Sequence, residues 1–202
     1  MLTRRQLMAG GSAIGTLALL ESMAGCAVMG NNGGWITLID GTRVPEGWIH
    51  QGAGNWSVFE GSLQGKDGKM GFLTSPDNYA DFELRAEFWA DAEANSGIFI
   101  RCENPTQVGT PTAYEVNIFD KRPDPSYGTG AIVDIARVAK PYPQAANRWN
   151  VLEVVARGAR LTVSFNGMQT VDVVDGKRRS GRISLQSAGG TVRFRKVMVR
   201  PL

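Results

Sequence analysis

Apolar and polar residues alternate one by one along most of this chain. The clearest example runs from residue 82 to residue 89, where every second residue is apolar and the residues between are charged or aromatic. Successive side chains of a β-strand point to opposite faces, so this period of two predicts strands with one buried face. About ten such segments follow one another, and none shows the period and caps of a long helix. The pattern therefore predicts an all-β fold.

Glycine-rich turns separate the alternating segments at regular spacing. Asn166-Gly167 stands between two apolar runs, which is the strongest short-range hairpin signal, and Glu60-Gly61 separates another pair. Many short strands with such turns are typical of a β-sandwich, in which two antiparallel sheets pack face to face. No internal repeat or linker interrupts residues 27–202, so we expect a single domain there.

Two predicted strands, residues 95–102 and 114–120, combine an apolar face with a face of mixed chemistry. By parity, Phe99 shares a face with Arg101, and Glu115 shares a face with Asn117. If these mixed faces lie side by side, a cation, a carboxylate and an amide converge beside an aromatic ring, as in a sugar-binding surface. The pattern also fits an exposed sheet face with an ordinary Arg–Glu pair, and the residues alone leave both interpretations open.

Two proline-containing loops, residues 103–113 and 121–146, interrupt the series of strands. The second loop is long for a compact domain, and long loops often carry function. Within it, the stretch from Tyr127 to Asp134 fits either a lip on a binding cleft or a surface excursion fixed by prolines.

The N-terminus has the layout of a bacterial export signal. A twin arginine precedes an apolar stretch rich in Gly and Ala, which is too short for a convincing membrane span of roughly 20 residues. Residues 22–26 then resemble a lipobox with Cys26 as the lipidated residue, although Met23 stands where Leu is usual. We expect residues 1–26 to direct export to the periplasm or cell envelope, with a lipid anchor at Cys26; a plain secretory signal is the alternative.

Composition narrows the functional classes. The formal charge of +3 is too small to favour nucleic-acid binding. The two cysteines do not make a disulfide framework, and Cys102 is expected to be a small buried residue on the face of its apolar neighbours. His50 is the only histidine, so chemistry that depends on histidine has little support.

Several short phrases occur together in an order that resembles the 3-keto-disaccharide hydrolase domain family. They are residues 38–41 (LIDG), 55–58 (NWSV), 81–85 (DFELR), 95–101 (NSGIFIR), 114–118 (YEVNI), 165–167 (FNG) and 181–186 (GRISLQ). The resemblance covers residues 35–202. It implies a concanavalin A-like jelly roll of two antiparallel sheets with sugar bound on a concave face. It also implies bacterial export, often as a lipoprotein, and activity on glycosides oxidised at C3.

The resemblance also implies where the site lies. The residues expected to bind substrate on the concave face are Trp89, Phe99, Asn117, Arg85 and Gln186. The resemblance implies catalytic roles for Arg101, Glu115 and Asp134. Relatives usually continue Asp-His-Gly after the Leu-Gln pair, whereas this chain has Ser187-Ala188-Gly189. An Asp and a His that relatives have available as acid, base or metal ligand are therefore absent.

A ketone at C3 acidifies the C2 hydrogen and allows the oxygen on C1 to leave by elimination, after which water adds back. This cleavage needs a base near C2, a cation near the C3 oxygen and an acid or a metal-bound water at the leaving oxygen. We expect Glu115 to be the base and Arg101 to hold the enolate oxygen. Asp134 would orient a hydroxyl, act as the acid, or bind a divalent metal ion together with Glu115. This scheme can use a divalent metal ion as a cofactor but does not require one. The sequence does not indicate the oligomeric state.

Three other functions fit the residues. A two-carboxylate glycosidase would use Glu83 with Glu87, or Glu115 with Asp134. A non-catalytic carbohydrate-binding module would hold a glycan on the same concave face without turnover, and the missing Asp-His pair favours it. A structural lipoprotein of the envelope would bind no glycan.

Overall fold

The computed structural model describes residues 33–66 and 68–202. These residues form thirteen β-strands and one short 3-10 helix at Pro125–Tyr127. The strands are β1 Ile36–Ile39, β2 Ile49–Gly52, β3 Asn55–Phe59, β4 Ser62–Lys66, β5 Gly71–Thr74, β6 Phe82–Ala90, β7 Asn95–Cys102, β8 Tyr114–Ile118, β9 Arg148–Arg157, β10 Arg160–Phe165, β11 Met168–Val174, β12 Arg182–Gly189 and β13 Val192–Pro201. The all-β prediction is confirmed.

The strands form two antiparallel sheets. The eight-stranded sheet has the order β11-β10-β9-β6-β13-β4-β3, and β1 also pairs with β13. The five-stranded sheet has the order β2-β5-β12-β7-β8. Strands that are neighbours in the chain often lie in different sheets, as β6 and β7 do. The predicted sandwich of two antiparallel sheets is thus confirmed.

The main core lies between the two sheets and is built by the inward face of each strand. The four apolar residues of β6 that alternate with polar ones, Phe82, Leu84, Ala86 and Phe88, are at most 1% exposed. Ile98 of the five-stranded sheet belongs to the same cluster. Burial of each large apolar side chain contributes roughly 1.5–3 kcal/mol. The period of two therefore determined which side of β6 is buried.

Two hairpins have the turns that their sequences predict. Asn166 and Gly167 have φ angles of 49° and 81°, and Glu60 and Gly61 have φ angles of 46° and 67°. Two successive left-handed residues are the mark of the tight turn that suits a two-residue hairpin. Asn166 is fixed further because its Oδ1 accepts a hydrogen bond from the Val151 N–H at 2.8 Å.

A second, smaller apolar cluster lies on the outer face of the five-stranded sheet. The loop between β7 and β8 covers it, and its members are Phe72, Phe99, Cys102, Val108 and Ala113. Cys102 is a free, buried thiol, as predicted. The loop is fastened to the opposite edge of the sheet because the Val108 N–H donates to Gln51 Oε1 at 3.0 Å.

The long loop between β8 and β9 adds a short strand-like segment to the edge of the five-stranded sheet. Residues 130–133 run beside β8, with hydrogen bonds from Asn117 N to Ala131 O and from Val133 N to Glu115 O, both at 3.0 Å. Asp120 fixes the rest of the loop, because its carboxylate accepts hydrogen bonds from the Ala145 and Ala146 backbone N–H groups. The loop is therefore an ordered part of the sandwich.

Within the described part of the chain, no helix is long and apolar enough to cross a membrane. The predicted export signal at residues 1–26 and the predicted lipidation site at Cys26 lie outside the described residues.

Candidate functional site

Strand β7 changes the direction of its side chains at Arg101, which corrects the parity prediction. The Arg101 backbone is left-handed, with a φ of 50°, and the register between β7 and β12 shifts at this point. Such a bulge inserts one residue into the strand and reverses the faces beyond it. Cys102 consequently packs with Phe99 on the outer face instead of with its predicted apolar neighbours. The prediction that Arg101 and Phe99 share a face is wrong.

The Arg101 side chain is completely buried at one end of the sandwich. Its guanidinium donates to the carbonyl oxygens of Ala80, Gly158 and Arg178 and to the Asp81 carboxylate. Burial lowers the pKa of Arg101 from its ordinary value, and the Asp81 carboxylate acts against this effect. These contacts use every N–H donor of the group. Arg101 therefore holds three loops together and has no donor left for an enolate oxygen.

Arg85 and Trp89 lie on the outer face of the eight-stranded sheet, whereas Glu115 belongs to the other sheet. Arg85 forms an ion pair with Glu153 of β9. The Arg193 guanidinium lies 4.8 Å from the centre of the Trp89 ring. Parity correctly gave the outward side of β6 but could not show which sheet it joins. The structure does not bring Arg85 or Trp89 together with Glu115.

Phe99 lies on the same outer face as Glu115, but its ring is covered. It is 1% exposed and meets the Phe72 ring edge-on, with 5.4 Å between ring centres. The loop between β7 and β8 packs on both rings. Phe99 therefore supports the site from below and is not available to stack on a sugar.

Three predicted site residues do come together on the outer face of the five-stranded sheet. Gly97 lies between Gln186 of β12 and Asn117 of β8 in one row across the sheet, as the register of both strand pairs shows. Glu115 stands in the next row beside Phe99. A Cβ atom at Gly97 would lie only 3.4 Å from Glu115 Oε1, so the carboxylate leans over the glycine. We call this group, Gly97, Glu115, Asn117 and Gln186, the Gly97 hollow.

The two amides of the Gly97 hollow each present an oxygen without a partner. Asn117 is fully buried, and its Nδ2 donates to Tyr127 O at 2.7 Å, which leaves Oδ1 unpaired. Gln186 is 6% exposed, and its buried Oε1 is also unpaired. A buried acceptor without a hydrogen bond costs about 1–3 kcal/mol. Sugar hydroxyls are suitable donors for these two oxygens.

Glu115 has the properties of a base that is active near neutral pH. It is 9% exposed, and its carboxylate accepts no hydrogen bond from another described residue. Burial raises the pKa of Glu115 from 4.5 to about 7; Arg122 opposes this rise and Asp134 adds to it. A general base works best with a pKa near the operating pH. Both forms of the carboxyl group are therefore present at neutral pH.

The long loop contributes the two charges that shift the Glu115 pKa, Arg122 and Asp134. Asp134 is exposed, has a φ of 62°, and follows the residue whose N–H is bonded to the Glu115 carbonyl. Its predicted position near Glu115 agrees with its effect on the Glu115 pKa. Arg122, half-buried in the same loop, was not identified from the sequence. It follows no strand periodicity, and only the path of the loop brings it to the hollow.

The residues near the hollow do not fit a metal site based on histidine or cysteine. The described residues include no group of three or more His, Cys, Asp or Glu placed to hold an ion. His50 lies on β2, at the opposite edge of the sheet from Glu115 on β8. Glu115 and Asp134 supply only two carboxylates, and the amide oxygens of Asn117 and Gln186 are the other oxygen donors of the hollow. The described residues therefore do not form a His, Cys, Asp and Glu metal centre at the hollow.

Solved structures with the same fold agree with the sandwich architecture. A glycosyl hydrolase-like protein from Parabacteroides distasonis has a TM-score of 0.69 and 18% identity, over 84% of this chain and 94% of that one. A protein of unknown function with a galectin-like fold from Bacillus subtilis has a TM-score of 0.62 and 15% identity, over 81% and 95%. The carbohydrate-binding module CBM66 from Bacillus subtilis has a TM-score of 0.56 and 17% identity, over 83% and 95%. A search of curated proteins found no match.

The family relationship rests on the sequence of nearly the whole sandwich. The sequence profile of the 3-keto-alpha-glucoside-1,2-lyase-like domain matches residues 34–200, which include both sheets and every residue of the Gly97 hollow. The predicted resemblance and the predicted concanavalin-like fold are thereby confirmed. The chain belongs to the 3-keto-alpha-glucoside-1,2-lyase-like domain family.

Proposed function

We propose that this protein cleaves 3-keto-glycosides at the Gly97 hollow, with Glu115 as the base that removes the C2 proton. The observation that carries this proposal is a buried carboxyl group with a pKa of about 7 that contacts Gly97, in the row next to two unpaired amide oxygens. The family description and the carbohydrate-active character of the fold relatives support a carbohydrate substrate. The specific bond and the oxidised sugar are parts of the proposal.

In the proposed reaction, the Glu115 carboxylate takes the proton from C2 and the C–H electron pair forms an enolate with the C3 oxygen. The enolate then collapses: C3=O re-forms, a C1–C2 double bond forms, and the C1–O bond breaks. The departing oxygen takes a proton and leaves as an alcohol, and the Glu115 carboxylic acid is a suitable donor. Addition of water across C1–C2 completes hydrolysis. The overall reaction consumes one water molecule and needs no oxidant or reductant.

Arg122 replaces Arg101 as the cation in this scheme. A guanidinium beside a developing enolate stabilises negative charge most strongly in a site that excludes water. Arg101 has no donor left, whereas Arg122 makes no ion pair within 33–66 and 68–202 and acts on Glu115. Asp134 would orient a sugar hydroxyl at the rim. The unpaired amide oxygens of Asn117 and Gln186 would accept hydrogen bonds from further hydroxyls.

The test is turnover of 3-keto-trehalose and 3-keto-lactose, with their unoxidised parents as controls. We expect sugar release only from the keto substrates and a loss of at least about 100-fold in kcat for Glu115→Gln. Glu153→Gln makes the same chemical change on the opposite sheet and should leave kcat unchanged. Equal turnover by Glu115→Gln and the wild type would refute the assignment of the base.

A carbohydrate-binding module is the second candidate. The absence of the relatives' Asp-His pair at Ser187-Ala188 and the shared fold with a carbohydrate-binding module favour it. On this alternative, the keto sugars bind saturably but are recovered intact, and Glu115→Gln changes affinity alone. Recovery of intact sugar at saturating protein would therefore select binding over catalysis.

We further propose that the protein is exported and carries a lipid on Cys26. This rests on the twin arginine, the short apolar stretch and the lipobox-like residues 22–26. It would place the hollow in the periplasm or at the cell envelope, where extracellular glycosides arrive.

A further inference from the structure

A separate cavity of about 310 Å³ lies between the proline-rich segment 141–148 and the hairpin of β10 and β11. Its apolar walls are Pro141, Tyr142, Pro143, Phe165 and Met168. No residue of the Gly97 hollow lines it. The volume lies at the lower end of the range for small-molecule sites, about 300–1000 Å³.

The cavity has a buried floor and an open mouth. Phe165 is 6% exposed, and its ring lies 6.4 Å from the Phe88 ring of the main core. Met168, in contrast, is 65% exposed, and Tyr142 is half-buried. A flat apolar ligand in this cavity would displace water from the apolar walls, and this displacement is the main source of affinity in such sites.

The charged side chains at this cavity are positive, and the nearby Asp120 carboxylate is bonded to the Ala145 and Ala146 N–H groups. Arg148 lines the cavity, and the Lys140 ammonium group lies 5.7 Å from the centre of the Tyr142 ring. Residues 136–149 and 161–171, which form the walls, contain no Asp or Glu. Neither cation pairs with a carboxylate in the part of the chain that the structure describes. Both cations are therefore available to a negative group on a ligand.

Two neutral polar side chains of the walls, Asn166 and Thr170, are already hydrogen-bonded within the protein. The Asn166 amide bonds to Val151 N and to Asn150 Oδ1, and Thr170 Oγ1 donates to Gly130 O. A sugar, which needs many donors and acceptors, would find few partners here. The neutral groups that have no hydrogen-bond partner among the described residues are the Tyr142 hydroxyl and Gln144 Oε1, and the charged groups of the site are the two cations. The Arg148 guanidinium donates one hydrogen bond, from Nη2 to Gln144 O, and its remaining N–H groups can donate to an anion.

We propose that this cavity is a binding site for a small aromatic carboxylate, with the ring between Tyr142 and Phe165 and the carboxylate at Arg148. This inference does not rest on the proposed function, because it uses a different part of the fold. Arg148 supplies a bidentate donor pair, and Lys140 adds a second positive charge at the rim.

Titration calorimetry on the full chain tests the site with two probes of the same shape, 4-hydroxycinnamate and its neutral methyl ester. We expect saturable binding of the acid, and binding of the ester weaker by about tenfold, as for loss of one charge-assisted hydrogen-bond pair. Arg148→Gln should weaken the acid by about tenfold and leave the ester unchanged. Arg157→Gln, at the other end of β9, is the matched control and should change neither.

Three results would overturn the proposal. They are no saturable binding of the acid at concentrations up to about 1 mM, equal affinity for acid and ester, and unchanged affinity for the acid in Arg148→Gln. Tyr142→Ala provides a second check on an exposed loop, and it should weaken both probes alike because it removes ring contact without removing charge. Thermal unfolding of each variant confirms that it is folded.

Discussion

Gly97 lies directly against Glu115: a Cβ atom on this glycine would be 3.3 Å from Glu115 Cγ and 3.4 Å from Oε1, and 3.2 Å from the Val116 carbonyl oxygen. The glycine is needed for space, since its φ is not in the left-handed region. The absence of a side chain makes the depression that receives the carboxylate.

Gly97→Ala should therefore displace the Glu115 carboxylate and lower kcat on a 3-keto-glycoside by about tenfold or more. Overpacking of this kind costs about 1–3 kcal/mol of stability, so the variant should still fold. The measurement is steady-state kinetics together with urea unfolding. Gly109→Ala is a suitable control, because its Cβ would make only one contact, at 3.4 Å to Pro111 Cδ. If both variants kept full activity, the space at Gly97 would have no catalytic role.

Glu115 should make stability depend on pH in a predictable direction. Its folded pKa of about 7 lies above the ordinary value of 4.5, so the folded state binds the proton more tightly than the unfolded chain. The stabilisation is complete below pH 4.5 and is lost as pH rises through about 7, by up to about 3 kcal/mol. Glu115→Gln should remove this decrease, and Glu153→Gln should retain it.

The same titration should control activity in the opposite sense. A base must be deprotonated, so kcat/KM should rise with pH through about 7. Urea unfolding and initial rates measured across this pH range would show stability falling while activity rises. A rate that is flat between pH 5 and pH 8 would contradict the role of Glu115.

Arg101 should be essential to the fold and not to the chemistry. Arg101→Ala removes the donors that hold three loops and leaves buried carbonyl oxygens unpaired, which should cost about 3–5 kcal/mol in urea unfolding. Arg85→Ala breaks an ion pair that is more than a third exposed and should cost less than about 1 kcal/mol. The folded fraction of an Arg101 variant should keep its kcat. A stable Arg101→Ala protein without turnover would restore Arg101 to the active site.

Cys26 should be required for lipid attachment. Cells fed with radiolabelled palmitate should label the wild-type protein but not Cys26→Ser, while both are exported. Cys102→Ser is the control, since Cys102 is buried and its thiol pKa is raised by burial, which makes it unreactive. Absence of label from an exported wild-type protein would leave the plain secretory signal.

The period of two in the sequence was enough to predict the class of fold, the buried side of β6 and two hairpin turns. It was also enough to place Asn117 beside Glu115, because β8 is a regular strand. It failed at Arg101, since a bulge depends on backbone conformation and on partners distant in sequence. The period of two also could not show that Trp89 and Glu115 lie on different sheets, because parity does not tell which sheet a strand joins. Arg122 has no sequence signal, because a long loop brings it to Glu115.

The segment 130–133 has a consequence beyond the position of Asp134. β8 is the last strand of its sheet, and without this segment its backbone N–H and C=O groups would be open to pairing with another molecule. The loop that borders the Gly97 hollow therefore also protects the chain from edge-to-edge aggregation. Shortening this loop would expose the β8 edge, and we expect lower solubility as a result.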